Sequence, residues 1–275
     1  MEPHSLPDAD APAVIRVCVA GITGWMGRPL AEAVVEAEEF ELVGGVSRSA
    51  AGTRLPDTDA PVFGSVADAL DATESQVLVD YTDATVVKSN VLAAVERRVA
   101  VVVGASGLTA ADYDEIERAA LAAGVGVTAA GNFSLLAAML LRCAAEIAQH
   151  VAAWEIIDYG SAGKPDVPSG TSRELAERLG EIRRPAVGTP LETVHGPVEA
   201  RGATVAGTQI HSVRLPSFVV STEIVFAAPG ERLTLRHDPN ESATPYIAGT
   251  LLAIRSVRER AGLTRGLDSL LDGGS

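Results

Sequence analysis

The sequence predicts an α/β protein with two domains: first a parallel sheet covered by helices, then an α+β domain with a mainly antiparallel sheet. Up to about residue 150, short apolar runs rich in β-branched residues alternate with helical patterns. Alternating strands and helices are typical of a parallel sheet covered on both faces. Beyond that point, strand-like runs follow one another across short turns, as antiparallel strands do.

Five apolar runs predict the buried strands of the first sheet, at residues 14–20, 40–46, 76–80, 99–103 and 125–130. Helical patterns lie between them, at residues 28–39, 84–98 and 109–124. The last of these patterns ends in Gly124, a residue that suits a helix stop.

The second domain contains three strand-like runs, at residues 209–215, 218–228 and 231–238. Because only short turns separate them, they predict an antiparallel meander. A final helical run, at residues 243–262, closes the chain.

The composition restricts the class of function. The chain has 275 residues, 47% of them hydrophobic, and a formal net charge of -14. It can therefore bury a large core, and its charge disfavours broad binding to nucleic acid or to an anionic membrane, since both attract basic surfaces. Cys18 and Cys143 have neither metal-ligand spacing nor the density of a disulfide scaffold, and no metal site is expected.

The first residues of the chain, 1–12, are acidic and rich in proline. They lack the positive start and apolar core of a signal peptide and do not form a membrane span. We interpret them as a disordered tail on a cytoplasmic protein.

The stretch GITGWMG follows the first strand directly and precedes a helix. Its three glycines would let a pyrophosphate approach the backbone at the start of that helix. The placement predicts a dinucleotide site in a Rossmann-like domain, with a tight structural turn as the alternative. The predicted cofactor contacts in this stretch are Gly21, Thr23, Gly24, Trp25, Met26 and Gly27.

The end of the second strand bears on which dinucleotide binds. A carboxylate there would accept hydrogen bonds from the ribose of NAD and repel the 2′-phosphate of NADP. The chain instead has Ser47 and Arg48 at this point. NADPH is therefore favoured, with NADH possible and with Arg48 facing the phosphate. The alternative for Arg48 is a solvated surface arginine.

Three further loops follow strand ends, where ligands collect in open α/β sheets. They read DYTDAT from residue 80, GASG from residue 104 and GNFS from residue 131. Small residues in GASG would let a flat ring lie against the backbone. The predicted cofactor contacts in these loops are Tyr81, Thr82, Gly104, Ala105, Ser106, Asn132 and Phe133.

A lysine lies in an irregular loop just before a predicted helix, in the stretch GKPDVPSGT. Thr171 and Glu174 have the spacing of a capping box, which predicts a helix start there. A helix start attracts anions, and Lys164 would add a mobile positive charge, so the pair would suit a carboxylate or a phosphate. The alternative is an ordinary capped helix with a solvated lysine.

These motifs together resemble one family. GITGWMG, DYTDAT, GASG, GNFS and KPDVPSGT occur in the order and spacing of the 4-hydroxy-tetrahydrodipicolinate (dihydrodipicolinate) reductases, the pyridine-nucleotide enzymes of lysine and diaminopimelate synthesis. The resemblance covers nearly the whole chain after the tail. It implies that the second sheet is open and assembles a homotetramer. It also implies a substrate-carboxylate site at Lys164, Ser161, Ser169, Gly170 and Thr171.

The sequence departs from that family at one important place. The family usually carries two adjacent histidines before the lysine, the first proposed as proton donor and the second as a substrate contact; here they are Gly160 and Ser161. A positioned acid contributes about 10²–10⁴-fold, or roughly 3–5 kcal/mol. Lys164 is the first candidate to replace it, followed by Tyr159 and Asp158 or a water held by Ser161. Ala105 and Ser106 likewise replace two threonines of the family.

The resemblance implies an NAD(P)H-dependent reductase of a cyclic carboxylated imine, with the lysine-pathway reductase as the first hypothesis. A divergent imine reductase with another substrate is the second, and a catalytically silent NADPH-binding oligomer is the third. We expect a dinucleotide-binding domain at residues 13–133 and a substrate-binding and oligomerisation domain at 134–241. A C-terminal helical segment at 242–275 is expected to pack back on the first domain.

Overall fold

A computed structural model describes residues 14–56, 58–186 and 188–273. The chain forms two compact units. The first runs to Val127 and includes Ile254–Leu263; the second comprises Thr128–Ala253 and the residues from Thr264 onward. The predicted disordered tail lies outside the described residues.

A seven-stranded sheet confirms the predicted α/β architecture. All five predicted strands form, and β1 pairs in parallel with both β2 and β4, as β4 does with β5. The strand order is β12-β6-β5-β4-β1-β2-β3. Its strands are β1 (Ile15–Ala20), β2 (Phe40–Val46), β3 (Val62–Phe63), β4 (Val77–Asp80), β5 (Ala100–Val103), β6 (Gly126–Ala129) and β12 (Gly262–Arg265). Every residue of β4 and β5 is buried, as expected for strands covered on both faces.

Four helices accompany this sheet: α1 (Gly27–Glu36), α2 (Val66–Ala72), α3 (Val87–Glu96) and α4 (Ala110–Ala123). Thr109 and Asp112 form a capping box at the start of α4, and Gly124 ends it in the left-handed conformation, with φ of 68°. The predicted stop at Gly124 is therefore confirmed. The sequence patterns missed β3 and α2 because both are short.

The second sheet has the order β11-β10-β7-β9-β8. Its strands are β7 (Ala153–Gly160), β8 (Ala203–Val205), β9 (Thr208–Arg214), β10 (Val220–Ala228) and β11 (Glu231–His237). The predicted meander is wrong, because β7 lies between β9 and β10 and pairs in parallel with β9. The inserted strand alternates between half-buried and buried residues, and its buried Ile156 shares a core with Ile210 and Ile224 on its two neighbours.

The second unit contains the helices α5 (Leu135–His150) and α6 (Gly170–Ile182) and most of α7 (Thr244–Ser256), whose last residues, from Ile254, belong to the first unit. Leu141 and Ala144 of α5 and Leu175 and Leu179 of α6 belong to the same core as the inner face of the sheet. The core thus packs one face of β7 against the two helices.

The C-terminal segment differs from the predicted helix. The helix α7 ends at Ser256, and β12 follows it beside β6. Hydrogen bonds from Gly262 N to Val125 O and from Gly266 N to Ala129 O, both 2.9 Å long, align β12 with β6. An edge strand offers unpaired backbone groups, and here pairing with that edge prevails over local helix propensity.

Candidate active site

The turn after β1 is built on close backbone contacts in the first unit. Gly21 has φ of +80°, and a Cβ atom on it would lie 2.5 Å from Tyr81 O. A Cβ atom on Gly27 would lie 2.0 Å from Gly21 O. No side chain fits at either position, so the GITGWMG turn requires glycine at both.

Two further strand ends adjoin this turn. A Cβ atom on Gly104 would lie 2.1 Å from Cε1 of Tyr81, so the Tyr81 ring lies against the Gly104 backbone. The buried Asp80 accepts hydrogen bonds from Thr82 N at 2.9 Å and from Asn90 Nδ2 at 2.8 Å, which orders the loop after β4. We call the turns at residues 21–27, 80–85 and 104–107 the glycine rim.

Ser47 and Arg48 follow β2 next to the glycine rim. The buried Ser47 Oγ lies 2.9 Å from Thr23 Oγ1, which ties the end of β2 to the first turn. Arg48 Nη2 lies 3.9 Å from Asp83 Oδ2, and 81% of the arginine side chain is exposed. The guanidinium is therefore free to turn towards a ligand at the rim.

The start of α1 fits a pyrophosphate. Within the described part of the chain, no side chain caps α1 at Met26, and the first helical turn contains no acidic residue. Uncapped N–H groups and the positive end of the helix dipole favour an anion. Trp25, just before this helix start, is 55% exposed. With the Cβ-free turn in front of it, this helix start suits a dinucleotide.

The GNFS loop belongs to the second unit and contacts α6. Asn132 Nδ2 donates to Thr171 Oγ1 at 3.1 Å, and Gly131 N donates to Glu174 Oε2 at 2.7 Å. The Phe133 side chain is only 2% exposed and lies in the core. Of the two residues predicted here, Asn132 thus orders the loop while the ring of Phe133 packs inside.

The helix α6 begins where the sequence predicts, but its cap differs. Ser169 is the N-cap and accepts from Ser172 N at 3.3 Å. The predicted capping box of Thr171 and Glu174 is wrong, because both side chains contact the GNFS loop instead. The helix start is thereby attached to the loop that follows β6.

Glu174 is the titratable group at this attachment. Burial raises its pKa to about 7, and the hydrogen bond from Gly131 N acts in the opposite direction. The neighbouring charges are Arg265, Asp268 and Arg178. Glu174 therefore changes its charge near neutral pH, unlike an ordinary surface glutamate.

Lys164 lies in the loop between β7 and α6. Its Nζ is 2.8 Å from Asp166 Oδ1, and the side chain is 23% exposed. Its backbone N donates to Ser161 O at 3.0 Å, which closes a tight turn. The ammonium is therefore held by a carboxylate two residues away, and a ligand carboxylate would compete with Asp166 for it.

Asp158 is fully buried on β7. Its Oδ2 accepts from Ser169 N at 3.0 Å and from Arg214 Nη2 at 2.7 Å, and its Oδ1 accepts from Ser172 Oγ at 3.1 Å. Burial alone would raise the pKa of Asp158, but the hydrogen bonds from Ser169 and Arg214 outweigh it and hold the pKa below its usual value. Asp158 is thus an ionised anchor for the start of α6.

Tyr159 is directed away from Asp158. Alternate residues of β7 point to opposite faces, and Asp158 and Gly160 share the buried face that Lys164 approaches. On the other face, the Tyr159 ring stacks on Phe218 with centroids 5.0 Å apart, and its hydroxyl donates to Glu223 Oε2 at 3.2 Å. Partial burial and the Glu223 carboxylate raise the pKa of Tyr159. The structure does not bring Tyr159 and Lys164 together.

Comparison with known proteins identifies the family. The family model described as "Dihydrodipicolinate reductase, N-terminus" matches residues 15–133, and the one described as "Dihydrodipicolinate reductase, C-terminus" matches residues 134–271. The chain belongs to the dihydrodipicolinate reductase family. It is therefore an NAD(P)H-dependent oxidoreductase.

Named relatives agree with this assignment. The 4-hydroxy-tetrahydrodipicolinate reductase of Moorella thermoacetica is 36% identical over 268 residues, covering 94% of this chain and 99% of the relative. That of Mycolicibacterium gilvum is 34% identical over 259 residues, with 94% and 99% covered. The dipicolinate-bound dihydrodipicolinate reductase of Paenisporosarcina sp. TG-14 has a TM-score of 0.76 at 28% identity and covers 93% of this chain and 99% of its own.

Two features are absent from the described residues of this reductase. No helix among them is long and apolar enough to cross a membrane. In residues 14–56, 58–186 and 188–273, no group of three or more His, Cys, Asp and Glu side chains is placed to hold a metal ion.

The sequence interpretation of this reductase missed Arg214. Its guanidinium contacts Asp158 from the neighbouring strand β9, although the two residues are 56 positions apart in the chain. The one available signal was a basic residue near the end of an apolar strand run. That pattern also fits a solvated arginine at a strand end, and only the register of β7 with β9 places it beside Asp158.

Proposed function

We propose that this chain is the 4-hydroxy-tetrahydrodipicolinate reductase of lysine and diaminopimelate biosynthesis, reducing a cyclic carboxylated imine or its conjugated form with NAD(P)H. The observation that carries the proposal is the arrangement in the second unit, where Lys164 packs over Gly160 of β7 and the start of α6 is bonded to Asp158 of the same strand. Relatives that match almost the full chain bear the name of this activity. A bound reduced nicotinamide would supply the hydride.

The cofactor is proposed to be NADPH, with NADH as a weaker substitute. The exposed Arg48 can reach a 2′-phosphate after leaving Asp83, and its surface ion pair costs little to break. The glycine rim would receive the pyrophosphate at the start of α1. The contacts proposed along the rim and the GNFS loop are Gly21, Thr23, Gly24, Trp25, Met26, Gly27, Ser47, Tyr81, Thr82, Gly104, Ala105, Ser106, Asn132 and Phe133.

The substrate carboxylates are proposed to bind what we call the anion pocket: Ser161, Lys164, Ser169, Gly170 and Thr171. The first turn of α6 contains no acidic residue that would repel an anion. A substrate carboxylate would take the place of Asp166 on the Lys164 ammonium and receive N–H donors from the helix start. The related reductase of Paenisporosarcina binds dipicolinate, a planar dicarboxylate of the kind this pocket would hold.

Proton delivery is proposed to involve Lys164, directly or through a water held by Ser161. Hydride addition to a conjugated imine leaves an electron pair on the ring, and a proton has to neutralise it. Asp158 is unsuited to this task because it is buried, ionised and fully engaged in hydrogen bonds. Tyr159 is unsuited because it lies on the other face of β7. Lys164 is the remaining candidate of the predicted three.

The domain organisation and assembly complete the proposal. Residues 13–133 would bind the dinucleotide, and residues 134–241 would bind the substrate and mediate assembly of a homotetramer in the cytoplasm. The edge strand β11 supports assembly, since Leu233 at its centre is 48% exposed. Size-exclusion chromatography with light scattering would test the oligomeric state.

Turnover tests the proposed function. The chain should consume NADPH when it receives the aldol product of the upstream synthase, and reduced-nicotinamide absorbance follows the reaction. Lys164→Ala should lower kcat/KM by about 10²-fold or more, since it removes both a substrate contact and the proton source. Lys88→Ala, at the chain's other lysine, is the matched control and should leave turnover unchanged.

Three outcomes would contradict or limit the proposal. NADPH binding without consumption of any cyclic imine would favour a catalytically silent oligomer. Turnover of another imine but not of the synthase product would indicate a divergent substrate. This outcome is worth testing because Gly160 and Ser161 replace the two histidines that are usual in the family. Equal activity of Lys164→Ala and wild type would exclude Lys164 from the chemistry.

A further inference from the structure

Gly160, the last residue of β7, has two side chains packed over its backbone. A Cβ atom on it would lie 3.0 Å from Cδ of Lys164 and 3.2 Å from both Cδ and Cζ of Arg214. These contacts are tighter than ordinary van der Waals distances, so a side chain at residue 160 would displace at least one neighbour. The bare glycine thus makes room for Lys164 and Arg214 on the same face of β7.

Arg214 is anchored at four points and is only 15% exposed. Its Nη2 donates to Asp158 Oδ2 and to Asp166 O, both at 2.7 Å. Its Nη1 donates to Asp158 O at 3.1 Å and to Val213 O at 3.0 Å. One guanidinium therefore joins the two strands to Asp166, whose carboxylate holds the Lys164 ammonium.

The ion pair of Arg214 with Asp158 also contacts the start of α6, the second part of the anion pocket. Asp158, the carboxylate partner of Arg214, accepts hydrogen bonds from the backbone N of Ser169 and the hydroxyl of Ser172 in the first turn of α6. The loop at residues 161–169 is consequently tied to Arg214 at two points, directly at Asp166 and through Asp158 at Ser169.

We propose that Arg214 is a positioning residue that sets the distance between Lys164 and the start of α6, and that Gly160 is required because any side chain there would disturb this arrangement. The inference rests on the proposed function in one respect: the ligand of the pocket is a dicarboxylate. Arg214 acts through Asp158 and Asp166, without contact to the substrate. It is thus distinct from the residues of the anion pocket itself.

A lysine cannot replace Arg214 in this role. The guanidinium presents two terminal nitrogens in a fixed plane, and each serves two acceptors here. An ammonium on a flexible stem can retain the charge opposite Asp158 but cannot span Asp158 and Asp166 at once. Arg214→Lys therefore separates loss of geometry from loss of charge.

The experiment compares wild type, Arg214→Lys and Arg201→Lys. Arg201 pairs with Glu155 of the same sheet and is the matched control. Dipicolinate affinity, NADPH affinity, KM, kcat and amide hydrogen exchange are measured for each protein. Arg214→Lys should weaken dipicolinate about 10–100-fold, the effect of losing charge-assisted hydrogen bonds. It should raise KM more than it lowers kcat and speed exchange at residues 161–170, with NADPH affinity unchanged.

A second variant keeps the proposal falsifiable if Arg214→Lys fails to fold. Gly160→Ala leaves every charge in place and should displace the flexible Lys164 stem rather than the four-point anchored Arg214. We expect weaker dipicolinate binding and a higher KM, with exchange in α6 unchanged. Recovery of Gly160→Ala towards wild-type affinity when combined with Lys164→Arg would contradict the crowding argument.

The results distinguish the inference from the proposed function. If wild type binds neither dipicolinate nor the synthase product, the proposed function fails, while exchange at residues 161–170 still decides whether Arg214 orders the loop. If wild type is active and Arg214→Lys matches it in dipicolinate affinity and loop exchange, Arg214 is not a positioning residue.

Discussion

The glycine rim and the anion pocket achieve order by different means. The rim consists of backbone in contact with backbone, as where Gly27 approaches Gly21 O, and it needs the absence of side chains. The pocket consists of a loop and a helix start held by a buried charge network centred on Asp158. Substitutions that add atoms should therefore damage the rim, and substitutions or pH changes that alter charge should damage the pocket, where added atoms are expected to matter at Gly160.

The largest expected effect lies in the pocket. Asp158→Ala would leave Arg214 without its buried partner and should lower the free energy of unfolding by about 3–5 kcal/mol. Asp166→Ala, which removes a carboxylate that is 34% exposed, should lower the free energy of unfolding by at most about 1 kcal/mol. Urea denaturation measures both, and similar losses would show that the Asp158 network does not dominate.

The network of Asp158 also has a pH signature. The folded state lowers the pKa of Asp158 below its unfolded value of about 4. The carboxylate therefore stabilises the fold above that pH, and this stabilisation is lost as the pH falls through the folded pKa. The wild type should therefore lose stability in acid more steeply than Asp158→Asn.

The next effect lies in the rim. Gly27→Ala would place a methyl group against Gly21 O, and such overpacking should lower the free energy of unfolding by about 1–3 kcal/mol. The affinity for NADPH should fall more than tenfold, which corresponds to about 1.4 kcal/mol. Gly64→Ala is the matched control, because its Cβ atom would meet only an ordinary contact at 3.6 Å. Fluorescence titration with NADPH measures the loss. Unimpaired binding by Gly27→Ala would mean that the cofactor does not depend on this turn.

Glu174 should give a smaller effect of opposite pH dependence. The folded pKa of Glu174, about 7, lies above its unfolded value of about 4.3. Between these two pH values the folded state binds an extra proton, so the free energy of unfolding falls as the pH rises through this range. Glu174→Gln should remove this fall and raise the free energy of unfolding by roughly 2 kcal/mol at a pH of about 8, a figure reduced for the partial exposure of the side chain. Glu177→Gln, three residues further along α6, is the control. Parallel pH–stability curves for wild type and Glu174→Gln would contradict the raised pKa.

The smallest effect concerns cofactor choice at the rim. Arg48→Ala should weaken NADPH about tenfold and leave NADH within about twofold, since only NADPH carries the 2′-phosphate. Arg54→Ala, at another exposed arginine of the first unit, should change neither. Equal losses for both cofactors with Arg48→Ala would mean that Arg48 does not bind the phosphate.

The sequence predicted the rim better than the pocket, for a physical reason. Glycine spacing, strand ends and helix starts are local features, and Gly21, Gly27 and the five strands lie where these patterns placed them. The pocket depends on pairing between distant segments. The insertion of β7 between β9 and β10, which brings Arg214 to Asp158, follows from the shared core and leaves no local signal.

The capping of α6 illustrates the same limit. Thr171 and Glu174 have the spacing of a capping box, and local physics would pair them at the helix start. In the folded chain, Ser169 takes the cap, while Thr171 and Glu174 bind the loop at residues 131–134. Tertiary contacts redirect two side chains whose spacing alone suggests a local role.

Transfer of deuterium tests the central claim most directly. NADPH labelled with deuterium at the hydride position would be supplied with the product of the upstream synthase, and mass spectrometry of the ring product would follow the label. We expect one deuterium per product molecule, formed at a rate that Lys164→Ala lowers and Lys88→Ala does not. A product without deuterium, or no product despite binding of both ligands, would contradict a reductase built on the glycine rim and the anion pocket.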